Sequence, residues 1–488
     1  MNSMSNEVRN QEPKSLWNHF ADLNAVPRAS KKEEEVIAFA KAFGESLGLP
    51  TVVDHIGNVI IKKPATAGME NRKTVILQSH LDMVHQKNND TVFDFATEGI
   101  KMYIDGDWIK ADGTTLGADN GIGVASIMAL LASTDIPHPP MEALFTIDEE
   151  TGMTGALELK GGFLDADIML NLDTEDDDEL TIGCAGGIDI TVVGSYNEAS
   201  TPSDFTSFSL TIKGLSGGHS GMEIHKGLGN ANKLMNRLLT EISNDLSISI
   251  HSIDGGGLRN AIPRESVATI SVNSKEKLEE IISESGGALV DEHTTTDTNL
   301  EVVLEPIDRI ESCIDPSFQS KFLKAVYACP SGIYRMSPDI SDLVQTSNNL
   351  ARVLIKDGKY QVLCLTRSSV DTEKMDLARA IRSTFELVDA SVSYSGDYPG
   401  WTPRPNDGIV TIMKDLYKEL FDEDAHVYAC HAGLECGILG TNYPDMEMIS
   451  FGPNIRGAHS PDERVQISSV QKYWGFLLET LKKIPAKD

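Results

Sequence analysis

The chain has 488 residues, 40% hydrophobic and 24% charged, a composition typical of soluble globular proteins and a length too great for one core, so two or more domains are expected. Its 73 acidic and 42 basic residues leave a net charge of −31, which excludes nucleic acid as a partner because no basic stripe remains to neutralise phosphates; the acidity reads as a solvated surface. Met1 to Phe20 holds no signal-type apolar core, and the longest apolar run, Ile122 to Ala132, falls far short of the ~20 residues of a membrane span. Six cysteines without CxxC spacing read as reduced, buried thiols, so no membrane partner and a cytoplasmic location are expected.

Ser30-Lys31-Lys32-Glu33 has the form of a capping box, and Val36, Ile37, Phe39, Ala40 and Phe43 follow at helical spacing until Gly48. Val52-Val53 and Asn58 to Lys62 read as a strand pair turned at Gly57. A strand from Thr74 to Gln78 then leads into His80, and a Gly-rich turn, Gly117 to Gly121, opens a helix from Ile122 to Ser133. Strand Glu142 to Ile147 leads into Glu149 and Glu150, and strand Asp167 to Leu172 into Asp173. This order predicts an α/β fold, a central mostly parallel sheet flanked by helices, with its site outside the carboxyl ends of the strands.

From about Thr206 the order becomes strand, helix, two strands, helix, strand, ending near Glu305, which is the split βαβ pattern. A less regular version follows between Phe318 and Ser395, so an inserted α+β lid of two ferredoxin-like lobes is expected. Gly396 to Pro405 reads as a return linker, after which helix Gly408 to Leu420 and strand Met446 to Phe451 resume α/β texture before His459. The expected boundaries are 1–186 and 403–488 for a discontinuous catalytic domain and 187–402 for the inserted lid.

His80, Asp82, Asp119, Glu149, Glu150, Asp173 and His459 are the side chains that carry chemistry. One histidine and one carboxylate per metal, with a carboxylate shared between them, make a site for two divalent cations over one water, and such a pair serves metal-assisted hydrolysis. Oxygen and imidazole ligands without thiolate suit Zn²⁺, with Mn²⁺ or Co²⁺ as substitutes. Each position has a plainer reading when taken alone. His80-Leu81-Asp82 can be surface or capping chemistry, Asp119 a helix N-cap, and Glu149-Glu150 a solvated acidic turn. The run Glu175 to Glu179 reads as solvated charge. Gly121-Ile122-Gly123 suggests a phosphate loop, but Ser126 stands where the third glycine of a dinucleotide fingerprint belongs. His459 becomes a ligand only where the tail returns to the sheet.

Ser79-His80-Leu81-Asp82-Met83-Val84, Thr115 to Gly123, Phe145 to Gly152, Asn171-Leu172-Asp173, Gly217-Gly218-His219-Ser220-Gly221 and Cys430 to Gly437 together resemble the M20 clan of cocatalytic zinc aminoacyl hydrolases, on its aminoacyl-histidine dipeptidase branch. The likeness spans essentially the whole chain and implies a zinc-peptidase-like catalytic domain. It implies that His80 and Asp173 bind one zinc, Glu150 and His459 the other, and that Asp119 bridges them, followed by a cis peptide to Asn120. Asp82 would steer His80 and Glu149 would be the general base. In the lid, His219 would polarise the scissile carbonyl, while Asn260 and Arg367 would receive the substrate's C-terminal carboxylate. His85, His225 and His431 receive no catalytic role.

The expected activity is hydrolysis of unblocked dipeptides, including Xaa-His types, by a homodimer or a monomer; whether His219 acts within its own subunit or across a dimer is left open. An N-acyl amino-acid amidohydrolase or carboxypeptidase is the alternative on the same scaffold. A non-enzymatic metal-dependent binding protein would lack Glu149 or a ligand, and here all are present.

Overall fold

Strands β3 (Val75–His80), β4 (Met141–Thr146) and β5 (Ile168–Asn171) are buried along their whole length. Only strands covered on both faces allow that, and their near-continuous apolar runs follow from it. The computed structural model describes residues 7–487. Within it the chain divides into two compact units, Met1–Gly183 with Pro403–Ala429 and Leu434–Asp488, and Cys184–Thr402 with Cys430–Gly433.

The first unit is built on an eight-stranded mixed sheet. With β1 (Thr51–Val53), β2 (Val59–Lys63) and β6 (Glu179–Cys184), its order is β1-β2-β4-β3-β5, then Glu447–Ser450, β6 and His426–Cys430. The four central strands, β4, β3, β5 and Glu447–Ser450, are parallel. Antiparallel pairs join β1 to β2, β2 to β4, and Glu447–Ser450 to β6. The parallel character expected from the sequence therefore holds at the centre, and the sheet as a whole is mixed. Helix Ala118–Ala132 packs between β3 and helix Lys14–Leu23. It is buried almost all round, which explains its run of small and apolar residues.

A four-stranded sheet lies apart from the main one. Hairpin Met102–Asp105 and Trp108–Ala111 pairs with Arg464–Gln466, which pairs with Ile455–Arg456. The chain's last segment is thereby stitched to residues near the start of the unit.

The second unit holds one large antiparallel sheet. Its strands are β7 (Gly186–Ser195), β8 (Thr206–Lys213), β9 (Ile248–Gly256), β10 (Ser266–Val272), β11 (Glu301–Pro306), β12 (Val344–Lys356), β13 (Lys359–Ser368) and β14 (Ser391–Tyr398), in the order β11-β8-β10-β9-β12-β13-β7-β14, with Gly332–Met336 paired to β12. Strands β8, β9, β10 and β11, with helix Ala231–Asp245 and the helical segments from Lys275 to Glu292, have the strand order of a split βαβ unit. Strands β7, β12, β13 and β14 repeat that order with helices Pro316–Ala328 and Asp371–Glu386. The halves join where β9 meets β12, from Ile253 opposite Ile355 to Gly256 opposite Arg352. One apolar core, including Leu210, Ile253, Leu350 and Phe322, runs under both.

Two readings of the sequence need correction here. The Ser30–Glu33 capping box does not form: helix Glu34–Ser46 has no side-chain cap, and Ser30 Oγ donates instead to Asp82 Oδ2 at 2.8 Å. The acidic run after Asp173 is not a solvated tail. Arg456 pairs with Asp176, Lys472 lies 2.8 Å from Asp177, and burial, then the charge of Asp119, pushes Glu175 up to about 8. The six cysteines are all buried and form no disulfide among the described residues. No helix of the described residues is long and apolar enough to cross a membrane.

Candidate metal centre

Register explains why the chemical side chains meet. In the parallel centre His80 lies opposite Thr146, Gln78 opposite Asn171, and Asn171 opposite Ser450, so β3, β4, β5 and Glu447–Ser450 end on one edge of the sheet. His80 is the last residue of β3, Glu149-Glu150 follow β4 after a short turn, and Asp173 follows β5. Asp148 makes that turn with a left-handed backbone, φ 54°. Its carboxylate accepts from the Thr151 and Thr154 hydroxyls and pairs with Lys31. The turn aims the backbone N–H groups of Glu149 and Glu150 at Asp82 Oδ1 and Oδ2, at 3.1 and 3.3 Å.

His80 is buried with each ring nitrogen facing acids. Nδ1 lies 3.4 Å from Asp82 Oδ1, while Nε2 lies 3.2 Å from Asp119 Oδ1 and 3.5 Å from Asp173 Oδ1. The other oxygen of Asp119, Oδ2, is 3.3 Å from His459 Nε2, which is 2.9 Å from Glu150 Oε2. Four groups of ligand-type side chains have atoms within 4.8 Å of one another among the described residues; besides His80–Glu149–Glu150 and Glu33–Asp82–Asp148 they are His80–Asp119–Asp173 and Asp119–Glu150–His459. Asp119 belongs to the last two. His459 reaches the group because Arg464 and Val465 pair with Lys110 and Ile109, which brings the loop between Ile455–Arg456 and Arg464–Gln466 back to the unit.

Asp119 is not a simple helix cap. No side chain caps this helix, both carboxylate oxygens of Asp119 face histidines, and its peptide to Asn120 is cis. Asn120 Nδ2 donates to Asp173 Oδ1. The glycines after it are packing sites. A Cβ on Gly121 would meet Arg28 and Phe20, and one on Gly123 would meet Ser79 and the Leu172 carbonyl. That leaves no room for a phosphate loop.

The donor set fits divalent cations. Four carboxylates (Asp119, Glu149, Glu150, Asp173) crowd two imidazoles, and Glu150 Oε1 is buried with no hydrogen-bond partner among the described residues. Buried like charges demand compensation. Burial lowers the His80 pKa, yet the charge of Asp173 and the hydrogen bond with Asp119 outweigh it and hold His80 well above its ordinary value. Hydrogen bonds to Asp119 and Glu150 raise His459 to about 11. Burial pushes Asp119 up, but His459 and His80 hold it well below the usual carboxylate range. Burial raises Glu149 well above that range, and neighbouring Asp173 and Glu150 add to the shift. The group calls for positive charge at the places where its oxygen and nitrogen atoms converge, and a hard or borderline cation supplies it.

Three supporting residues received no role in the sequence reading, Glu435 among them although it lies in the Cys430 to Gly437 motif. Glu463, buried in the loop after His459, accepts from four successive backbone N–H groups, those of Leu116, Gly117, Ala118 and Asp119, at 2.7–3.2 Å. Burial and the charge of Asp119 push its carboxyl up to about 7 against those bonds. Arg28 donates to the carbonyls of Leu81, Asp82 and Gly117 and to Asn24 Oδ1, so one guanidinium ties the His80 turn to the Asp119 turn. Glu435 lies fully buried beneath the strands. Asp462-Glu463-Arg464 and Val26-Pro27-Arg28 look like surface sequence, and a buried charge has no local pattern that distinguishes it.

His219, Asn260 and Arg367 lie together in the second unit. His219 pairs with Ala261, and the Ser220 N–H donates to the Asn260 carbonyl at 2.8 Å. A Cβ on Gly221 would touch the Arg367 side chain at 3.2 Å. His219 Nδ1 accepts from the backbone N–H groups of Gly221 and Met222, at 3.2 and 3.1 Å, so in the neutral ring the proton sits on Nε2. Burial and then Arg367 lower the His219 pKa, which favours that neutral form. Arg367 is nearly buried and donates to Tyr398 Oη at 2.8 Å. His431 is also buried there, with Nε2 2.7 Å from Ser347 Oγ, and burial followed by Arg367 lowers it to about 3.

A family model described as peptidase family M20/M25/M40 matches residues 76–483. The chain is 43% identical over 483 residues to the cytosol non-specific dipeptidase of Escherichia coli (strain K12), covering 99% of this chain and 100% of that protein. The crystal structure of aminoacylhistidine dipeptidase from Vibrio alginolyticus is similar with a TM-score of 0.93 and 42% identity, covering 99% of both chains. Aminopeptidase PepT from Bacillus cereus shares the fold, with a TM-score of 0.58 at 16% identity over 97% of this chain and 99% of that one.

Proposed function

This chain belongs to peptidase family M20/M25/M40, as its motifs led us to expect, and we propose that it is a two-metal dipeptidase acting on unblocked dipeptides, including Xaa-His types. The observation that carries the metal reading is Asp119, whose two carboxylate oxygens face two different histidines, at 3.2 Å from His80 and 3.3 Å from His459. The substrate class follows the names of the two relatives matched over their full length, a non-specific dipeptidase and an aminoacylhistidine dipeptidase.

In this reading His80 and Asp173 would hold one cation and Glu150 and His459 the other, with Asp119 available to both. Zinc fits the ligand set, with manganese or cobalt as substitutes. When bound, the pair would polarise the scissile carbonyl and make a water acidic enough to lose its proton near neutral pH. The protein's residues do the rest. Asp82 faces Nδ1 of His80 and so leaves Nε2 to ligate. Glu149 takes a proton from the attacking water and returns it to the leaving amine. A carboxylate placed beside the attacking water serves both transfers. His219, neutral with its proton on Nε2, donates to the carbonyl oxygen as negative charge develops. Arg367 and Asn260 receive the dipeptide's C-terminal carboxylate, Arg367 through its planar fork.

The test is hydrolysis of Gly-His against acetyl-Gly-His, by protein stripped with a chelator and reloaded with zinc, manganese or cobalt. Metal-dependent cleavage of the free dipeptide alone supports the reading. Faster cleavage of the acetylated compound favours an amidohydrolase or carboxypeptidase, and cleavage unaffected by chelation refutes the metal assignment. We further propose a cytoplasmic homodimer, for which sedimentation is the test of assembly.

A further inference from the structure

A row of buried polar side chains crosses the sheet beneath the ligand turns, and the metal reading does not use it. Asn171 Nδ2 donates to Gln78 Oε1. Gln78 Nε2 donates to Thr146 Oγ1 at 3.1 Å and to Glu435 Oε2 at 2.6 Å, and Thr146 Oγ1 donates to that same Glu435 oxygen at 2.6 Å. All four residues are 0% exposed. Their places along the chain connect the row to the site. Gln78 stands two residues before His80, Thr146 three before Glu149, and Asn171 two before Asp173. Thr146 and Asn171 end their strands before turns that carry candidate ligands, and Gln78 lies two residues before His80 within the same strand. Glu435 comes from a distant segment, at the start of helix Glu435–Asn442, and its second oxygen, Oε1, is buried without a hydrogen-bond partner among the described residues.

We propose that Glu435 is a positioning residue, whose Oε2 fixes the amide of Gln78 and the hydroxyl of Thr146 and thereby sets the relative heights of the strand ends that carry His80, Glu149-Glu150 and Asp173. The row has one direction. An oxygen that only accepts obliges Gln78 to turn its NH2 to Glu435 and its carbonyl to Asn171, and Oε2 accepts both bonds whether or not Oε1 carries a proton. An apolar side chain in its place leaves the Gln78 amide free to turn over, which sets its NH2 against that of Asn171 and breaks the side-chain link between β3 and β5, leaving only their backbone pairing. The ligands above then lose the shared spacing that two closely placed cations need, as metal sites do when groups that orient their ligands are removed. Parallel backbone pairing alone does not fix this, since the turns after the strands differ in length.

The inference rests on the two-cation reading of the site, and the experiment separates the two. Zinc affinity by chelator competition, the visible spectrum of the cobalt-loaded protein, and kcat and KM on Gly-His are measured for the full chain, Glu435→Leu, Glu435→Gln and Thr146→Val. Glu435→Leu is expected to bind zinc about tenfold or more weakly, to shift the cobalt spectrum, and to lose kcat by a similar factor with KM nearly unchanged. Glu435→Gln supplies the same accepting oxygen and is expected to restore all three to within about threefold. Thr146→Val, which removes one donor and keeps the volume, decides the matter if Glu435→Leu does not fold, and is expected to weaken zinc binding. The proposal is overturned if Glu435→Leu or Thr146→Val binds zinc with native affinity and spectrum, or if Glu435→Gln is as impaired as Glu435→Leu. A native chain with no zinc affinity would overturn the metal reading, and this inference with it.

Discussion

Asp82→Asn is the sharpest single perturbation of the site, because it preserves volume and changes only what the side chain can accept. Asp82 is 0% exposed. Its carboxylate takes hydrogen bonds from Ser30 Oγ and from the N–H groups of Glu149 and Glu150, at 2.8, 3.1 and 3.3 Å, and faces His80 Nδ1 at 3.4 Å. An amide keeps one accepting oxygen. Its least costly orientation puts NH2 toward Ser30, whose hydroxyl can reverse, and loses the bond from Glu150. One charge-assisted bond lost inside the protein costs about 2 kcal/mol, or a melting temperature lower by about 4–8 °C for a unit of this size. His80 keeps the Oδ1 oxygen and the Asp82 backbone carbonyl, 3.1 Å from Nδ1, so the expected weakening of zinc binding, by about tenfold, comes from loosening Glu150. The linkage has a definite sign. Burial alone would raise the Asp82 pKa, but the hydrogen bond and charge of His80, then Ser30, hold it below its ordinary value. Its contribution is therefore present above the unfolded pKa and lost as pH falls through the folded one. Calorimetric melts of Asp82→Asn and native protein should differ at neutral pH and converge in acid, with metal affinity measured by chelator competition. Equal melting temperatures at pH 7 together with native zinc affinity would refute this account of Asp82.

Three further outcomes are expected. Glu149→Gln should bind zinc within about threefold of native protein while kcat falls by about 10²–10⁴, since only a proton carrier is lost; turnover near the native rate would show that the base lies elsewhere. Arg367→Lys replaces a planar fork by a point charge, so KM for Gly-His should rise by about tenfold or more with kcat little changed; an unchanged KM would remove Arg367 from carboxylate binding. Burial, opposed in part by Thr146, holds Glu435 at about 7 against an ordinary value of 4.5, so its folded-state advantage is complete below pH 4.5 and lost as pH rises through about 7. The metal-free Glu435→Gln variant should accordingly gain on metal-free native protein as pH rises from 5 to 8, by up to about 3 kcal/mol, and parallel stability curves in urea would contradict it.

What the sequence disclosed depended on whether a residue's role shows in its neighbours. His80, Glu149-Glu150 and Asp173 follow apolar runs that can only be buried strands, and a parallel sheet puts such endings on one edge. His459 had no such context. Its loop returns because Arg464–Gln466 adds to a hairpin more than 350 residues earlier, and that pairing leaves no local trace. The second half of the inserted sheet looked irregular for a related reason: β7, its first strand, precedes the whole first half in the chain. The alternation of Ile188, Ile190 and Val192 with Asp189 and Thr191 was present, but far from the elements it completes. Glu463 and Arg28 escaped notice, and Glu435 stood in a quoted motif without a role, because a charged residue reads as surface until its burial is seen. Ser30 to Glu33 misled in the opposite way, as a familiar helix-start pattern whose serine is committed to Asp82.

The late strand Glu447–Ser450 sits between β5 and β6 in the main sheet, which has a consequence for how the chain is made. About 280 residues separate the end of β5 from the end of that strand, so at ribosomal rates of roughly 5–20 residues per second β5 and β6 wait for tens of seconds with unpaired edges toward each other. The nascent first segment is a five-stranded partial sheet, β1-β2-β4-β3-β5, and a strand, β6, whose neighbours Glu447–Ser450 and His426–Cys430 are both still to be made, and their bare edges are its points of greatest exposure to mispairing with other chains. His459 follows that wedge by nine residues. A chain cut short before it therefore lacks the strand that closes its sheet as well as a candidate ligand, and so cannot hold a half-built metal centre in a finished fold.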